Sequence, residues 1–180
     1  MSQSYEIDMC HGPLFGKIIR FSIPLMLSGI LQLLFNAADI IVVGRFVGST
    51  ALAAVGSTSS LINLLINLFI GFSVGANVLV ARFHGAGRDD EVNETVHTAI
   101  TLSMISCIFL LIFGVTVTRT LLIWMGSPDD VLDQSSLYLK IYFLAMPATL
   151  LYNFGSSILR AVGDTKRPLF YLVTAGIINV

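Results

Sequence analysis

The chain has 180 residues, of which 55% are hydrophobic and only 12% charged, and a mean hydropathy of +0.85 places it outside the range of water-soluble globular domains. Ten Lys and Arg against eleven Asp and Glu leave a formal net charge of −1, which argues against a polyanion-binding surface and so against nucleic acid as a partner. Cys10 and Cys107 stand too far apart for a disulfide framework or a zinc spacing, and no HExxH, Walker or GxGxxG pattern supports an enzyme or a cofactor.

Residues 1–14 include Glu6, Asp8 and His11 and no apolar core, which reads as an N-terminal segment outside the bilayer rather than a cleaved signal peptide. A membrane helix needs about 20 apolar residues, and the rare charges divide the rest of the chain into helices expected at about 15–43, 52–83, 93–118, 128–160 and 168–180. The first carries Lys17 and Arg20 at its start and Asp39 near its end, before an external turn at Gly48 to Thr50. Gly85 and Gly87 release the second, and Asp89, Asp90 and Glu91 suit the positive N-terminal end of the third. Ser127 and Pro128 start the fourth. Gly163, Asp164 and Thr165 make the next turn, and Pro168 opens a fifth helix of thirteen residues, too short to cross. An apolar segment does not stop within a membrane, so the chain is expected to be a piece of a longer protein. Seven Lys and Arg on the N-terminal side, against Arg45, Arg119 and Lys140 on the other, put the N-terminus in the cytoplasm of a multi-pass protein of the cell membrane. Asn93-Glu94-Thr95 matches a glycosylation acceptor, but that placement makes it idle.

Asp39 is the one ionisable side chain well inside an expected span, where a carboxylate costs about 2.5–3.5 kcal/mol even on the lenient insertion scale. Gln32, Asn36 and Asp39 share one helical face, which is expected to look into a protein interior or a wet cavity. Its carboxyl could take up a proton or hold a cation with amide oxygens, or simply serve packing near the interface. Pro24 removes a backbone hydrogen bond in mid-helix, so it is either a hinge or an ordinary membrane-helix proline. Asn63 and Asn67 continue into Gly71 and Gly75, a stripe suited to close helix packing, with the asparagines as possible cavity lining. Asn153 and Asn179 are single amides that could line the same cavity or bond a neighbouring helix. Pro147 and the scattered aromatics and methionines read as packing, Trp124, Tyr138 and Lys140 as interfacial anchors, and His11, His84 and His97 as solvated.

Taken in order, several stretches resemble one family. Ile23-Pro24 through Asn36-Ala37-Ala38-Asp39 and on to Gly44-Arg45-Phe46-Val47-Gly48, then Ala51 to Gly56, are similar to the first helix and external turn of the multidrug and toxic compound extrusion (MATE) transporters. Ala81-Arg82 with Gly85 to Arg88 resembles the family's cytoplasmic turn, and Ser156 to Arg160 with Gly163 to Pro168 its fourth-to-fifth connection. The resemblance spans residues 13–180 and leans toward the DinF-like branch. It implies an all-α integral membrane fold: about five of the six helices of the N-terminal lobe of a twelve-helix antiporter, exchanging protons or sodium for cationic or amphipathic drugs. Within it, Asp39 falls at the coupling carboxylate, Pro24 at the bending proline of archaeal-type members, and Asn179 where the fifth helix lends an amide to the same cavity.

The resulting expectation is a secondary active efflux antiporter, with no cofactor beyond its coupling ion. Its partners are the lipid bilayer, small-molecule drugs and the remaining C-terminal half of the same transporter. The alternatives are a lipid or polysaccharide flippase of the same superfamily, disfavoured because no Lys or Arg lies deep in a span, and a non-transporting membrane scaffold.

Overall fold

The computed structural model describes residues 6–179. They form five helices in the expected order: α1 (Leu14–Val42), α2 (Ser49–Gly85), α3 (Asp89–Trp124), α4 (Asp129–Ala161) and α5 (Lys166–Asn179), with no strand among the described residues. Five wider-wound residues, Val43–Val47, prolong α1 as a π-turn. Gly48 ends it at φ +105°, where its N–H donates to Val43 O at 3.3 Å.

The largest departure from the expected bounds is in α3, which starts earlier and runs on to Trp124. An uncharged run marks the apolar slab of a helix, not its ends. Asp89, Asp90 and Glu91 sit in the first turn of α3, where the helix dipole favours them. At the other end Arg119 stays helical and pairs with Asp133 of α4 at 2.7 Å.

Helices α2, α3 and α4 all end in the same way. The amides of Arg88, Ser127 and Asp164 reach back five residues to the carbonyls of Phe83, Leu122 and Leu159, at 3.0, 3.1 and 2.9 Å. The glycine before each, Gly87, Gly126 and Gly163, has positive φ, the left-handed step that a Schellman cap requires. Lys166, not Pro168, opens α5: the Asp164 carboxylate accepts from the backbone N–H of Lys166 and Arg167, both at 3.1 Å. Pro168 then falls in the first turn, where its missing N–H costs nothing.

The chain divides into two compact units. The unit Ile40–Phe72 with Ile100–Asn153 has a core of Ile62 and Phe69 from α2, Cys107, Leu110 and Leu122 from α3, and Leu139, Phe143, Met146 and Leu150 from α4. Phe143 is fully buried. Its ring fills the space a side chain would need at Gly114, where a Cβ would lie 2.1 Å from it. The Ser57 and Ser135 hydroxyls add a 3.1 Å hydrogen bond between α2 and α4.

The other unit comprises Met1–Asp39, Ser73–Ala99 and Phe154–Val180. Here α2 and α4 are tied by polar contacts: Ser157 Oγ donates to Ser73 O at 2.7 Å and Asn77 Nδ2 to Ser157 O at 2.6 Å. Without water to compete, such interhelical bonds supply the attraction that apolar burial cannot provide between membrane helices.

Among the described residues three helices are long and apolar enough to cross a membrane: Leu14–Phe46, Ala51–Gly85 and Asp89–Trp124. Helix α4, expected to be a fourth, is long enough but less apolar. Its buried residues include Ser135, Ser136, Ser156 and Ser157 beside Leu139, Phe143 and Met146. A helix that faces protein on much of its surface does not need lipid-like side chains.

Candidate functional site

Helix α1 is built from Leu, Ile and Phe at helical spacing, yet of its residues only Pro24 and Ser28 are buried. Pro24 has no N–H to give to the carbonyl one turn back, and its ring crowds that turn. Ser28 Oγ donates to Pro24 O at 2.8 Å, a back-bond that itself tends to bend a helix. The two buried residues of α1 therefore fall where its ladder is weakest.

Beyond that point Gln32, Asn36 and Asp39 stand on one face, as their spacing requires, but all three are exposed. The expected setting was a protein interior or a wet cavity; among the described residues α1 meets α5 through Phe35, at the edge of the polar face, and the three polar side chains stay exposed. Phe35 lies about 40° from Asp39 around a helix of 3.6 residues per turn. Opposite Phe35 is the buried Gly176 of α5, where a Cβ would come within 1.8 Å of the ring tip. Asn179 is the last residue of α5, and its side chain lies outside the described residues.

The other expected cavity residues fall in the unit of Ile40–Phe72 and Ile100–Asn153. Asn63 and Asn67 are exposed, with Asn67 Nδ2 donating to Asn63 O one turn back at 2.8 Å. Asn153 is half-buried. A cavity of about 340 Å³ opens elsewhere, between residues 6–10, Ala81 to Gly85 on α2 and Ala161 to Gly163; it contains none of the residues expected to line one.

The segment beside that cavity is pinned at both ends. Ile7 N–H donates to Gly163 O at 3.3 Å, and the Ile7 carbonyl lies 2.5 Å from where a Gly163 Cβ would stand. Gly163, with φ +89°, therefore has two reasons to be glycine. Lys17 Nζ at the start of α1 donates to the Asp8 and His11 carbonyls. The Asp8 carboxylate accepts from Cys10 N–H at 2.9 Å. That bond, then the nearby Lys17 and His11, holds the Asp8 carboxyl below its usual range.

Sequence reasoning missed Asp164, which is fully buried and has Arg167 Nε 3.2 Å from its second oxygen. The signal was present: an Asp followed four residues later by Pro fits an N-cap with proline in the first turn. It also missed Gly176, although an isolated glycine in a helix costs about 1 kcal/mol relative to Ala and so points to a close approach.

Comparison with known proteins extends this picture. The MatE family model matches residues 24–180. The "Probable multidrug resistance protein YoeA" of Bacillus subtilis is 34% identical over 160 residues, covering 89% of this chain and 35% of that protein. An "FAD transporter" of Shewanella oneidensis is 27% identical over 93% of this chain and 37% of its own length. Crystal structures of a MATE in the bent and the straight conformation superpose with TM-scores of 0.80 and 0.81, at 29% and 30% identity. Each covers 89% of this chain, which spans 36% and 35% of those structures. The chain thus spans little more than a third of the relatives it matches. The matched span, the five-helix order and the membrane-length apolar helices together show that this chain belongs to the MatE family of membrane transporters.

Proposed function

We propose that the chain is the N-terminal part of a secondary antiporter that exports cationic or amphipathic drugs in exchange for protons or sodium. Asp39 takes up the coupling ion, Asn36 and Asn179 assist it, and Pro24 is the hinge through which the change reaches the rest of α1. Gln32, Asn63, Asn67 and Asn153 contribute to the drug cavity, whose remaining walls come from the other half of the transporter. Alternating access needs two lobes moving against one another, so five helices alone do not transport. The protein sits in the cell membrane with its N-terminus in the cytoplasm.

One observation carries this reading: a carboxylate on a polar helix face about four turns beyond a proline that interrupts the hydrogen-bond ladder of the same helix. Loading a charge there changes how favourably that face is hydrated, and a helix whose ladder is interrupted by proline can respond by bending. The bent and straight structures of the related MATE support the same response in this chain. The test is drug resistance of cells expressing the full-length transporter: Asp39→Asn should abolish resistance while membrane expression is kept. Unchanged resistance would favour a scaffold.

The FAD transporter relative supports a second cargo, an anionic dinucleotide. Residues 21–44 contain no Lys or Arg, so the α1 face offers such a cargo no counter-charge. Competition of a cationic dye by drug, but not by FAD, is the expected result.

A further inference from the structure

The geometry points to Gly176 as a positioning residue for the coupling carboxylate: by giving its side-chain space to the Phe35 ring, it sets the level and approach of α5 against α1 beside Asp39. This rests on the reading of Asp39 as the residue that takes up the coupling ion.

A Cβ on Gly176 would lie 1.8, 2.1 and 2.5 Å from Phe35 Cζ, Cε2 and Cε1, where carbon atoms rest at about 3.5–4.0 Å. Three ring atoms overlap at once, so turning the ring about its own axis cannot relieve the contact; the side chain has to leave. Conformational freedom does not account for this glycine, because it is not among those with positive φ. Within a 14-residue helix it costs about 1 kcal/mol relative to Ala. Close approach is what remains, and Gly176 is buried while its neighbours Ala175 and Ile177 are exposed.

The register links this contact to Asp39. Ile7, before α1, meets Gly163, before α5, and Phe35 of α1 meets Gly176 of α5, so the two segments meet in the same chain order. Rising about 1.5 Å per residue, the backbone reaches Asn179 about 4.5 Å above Gly176 and Asp39 about 6 Å above Phe35. The contact therefore sits about one turn before Asp39 along α1 and about one turn before the last residue of α5. It acts on the face bearing Asp39 without touching the ion.

The test uses the full-length transporter in proteoliposomes and measures drug exchange as a function of coupling-ion concentration, with pH or sodium varied in turn. Gly176→Ala should raise the half-saturating ion concentration at least threefold with a smaller change in maximal rate, and adding Phe35→Ala should bring it back to within twofold of wild type. Phe35→Ala alone should shift ion dependence less than Gly176→Ala does. If Gly176→Ala does not reach the membrane, rescue of its expression by Phe35→Ala supports the contact, and failure of that rescue overturns it. Unchanged ion dependence in Gly176→Ala, or a shift that Phe35→Ala does not relieve, also overturns it. Asp39→Asn in parallel separates the two ideas. If it exchanges drug like wild type, the antiport reading falls and takes the positioning role with it. If it is inactive while Gly176→Ala is normal, only the role of Gly176 is lost.

Discussion

Helices α1 and α4 are of similar length, 29 and 33 residues, and are held in opposite ways. Helix α4 has buried residues from Val131 to Ser157; α1 buries only Pro24 and Ser28. Among these five helices α4 is fixed by many contacts and moves at the expense of all of them, whereas α1 carries a proline that interrupts its ladder and lets it bend. The ionisable residue sits on the second kind of helix and the packed aromatic residues on the first. This difference separates substitutions that unfold the protein from substitutions that stop it working.

The strongest way to break the comparison is at α4. Phe143→Ala empties a fully buried site and should cost about 3–5 kcal/mol, read as a large fall in thermal stability in detergent. A loss no larger than that of an exposed α1 residue such as Leu33 would remove the distinction. Gly114→Ala overfills the same contact and should cost about 1–3 kcal/mol, with Phe143→Leu partly suppressing it in a double-mutant cycle. Pro24→Ala should behave the other way, leaving stability equal or higher because a mid-helix hydrogen bond is restored, while drug exchange falls. Lower stability with normal exchange would make Pro24 a packing residue.

The smallest effect concerns pH at the N-terminal segment. Asp8 has its carboxyl lowered chiefly by the Cys10 amide. A carboxyl with a depressed folded value contributes above its unfolded value, near 3.8, and loses that contribution as pH falls through the lowered one. Hydrogen exchange at the Cys10 and His11 amides, corrected for intrinsic rate, should therefore show no step from Asp8 titration between pH 5 and 8. Protection should drop only below about pH 4, and Asp8→Asn should remove that acid-side step.

The helix order could be read because membrane helices are apolar runs between charges, and the bounds of α4 came within one residue of those expected. The ends of α3 could not, because Arg119 and Asp89 remain helical once a partner or the helix dipole accepts them. At the candidate site, periodicity correctly put Gln32, Asn36 and Asp39 on one face. What covers that face is a tertiary property that no local pattern encodes, and among the described residues the face stays exposed. The Phe35–Gly176 contact was hidden for the same reason: it joins residues 141 positions apart, and only the lone glycine hinted at it. Asp164 was legible as a cap and went unread because the turn glycine beside it explained the same residues.

The central claim is that Asp39 exchanges a coupling ion for drug. Its most direct test is to load proteoliposomes of the full-length transporter with a cationic dye, impose an inward proton or sodium gradient, and follow dye efflux. Wild type should drive efflux with one of the two gradients, Asp39→Glu should retain part of it, and Asp39→Asn should show the leak of empty liposomes. Gradient-driven efflux by Asp39→Asn at the wild-type rate would contradict the account.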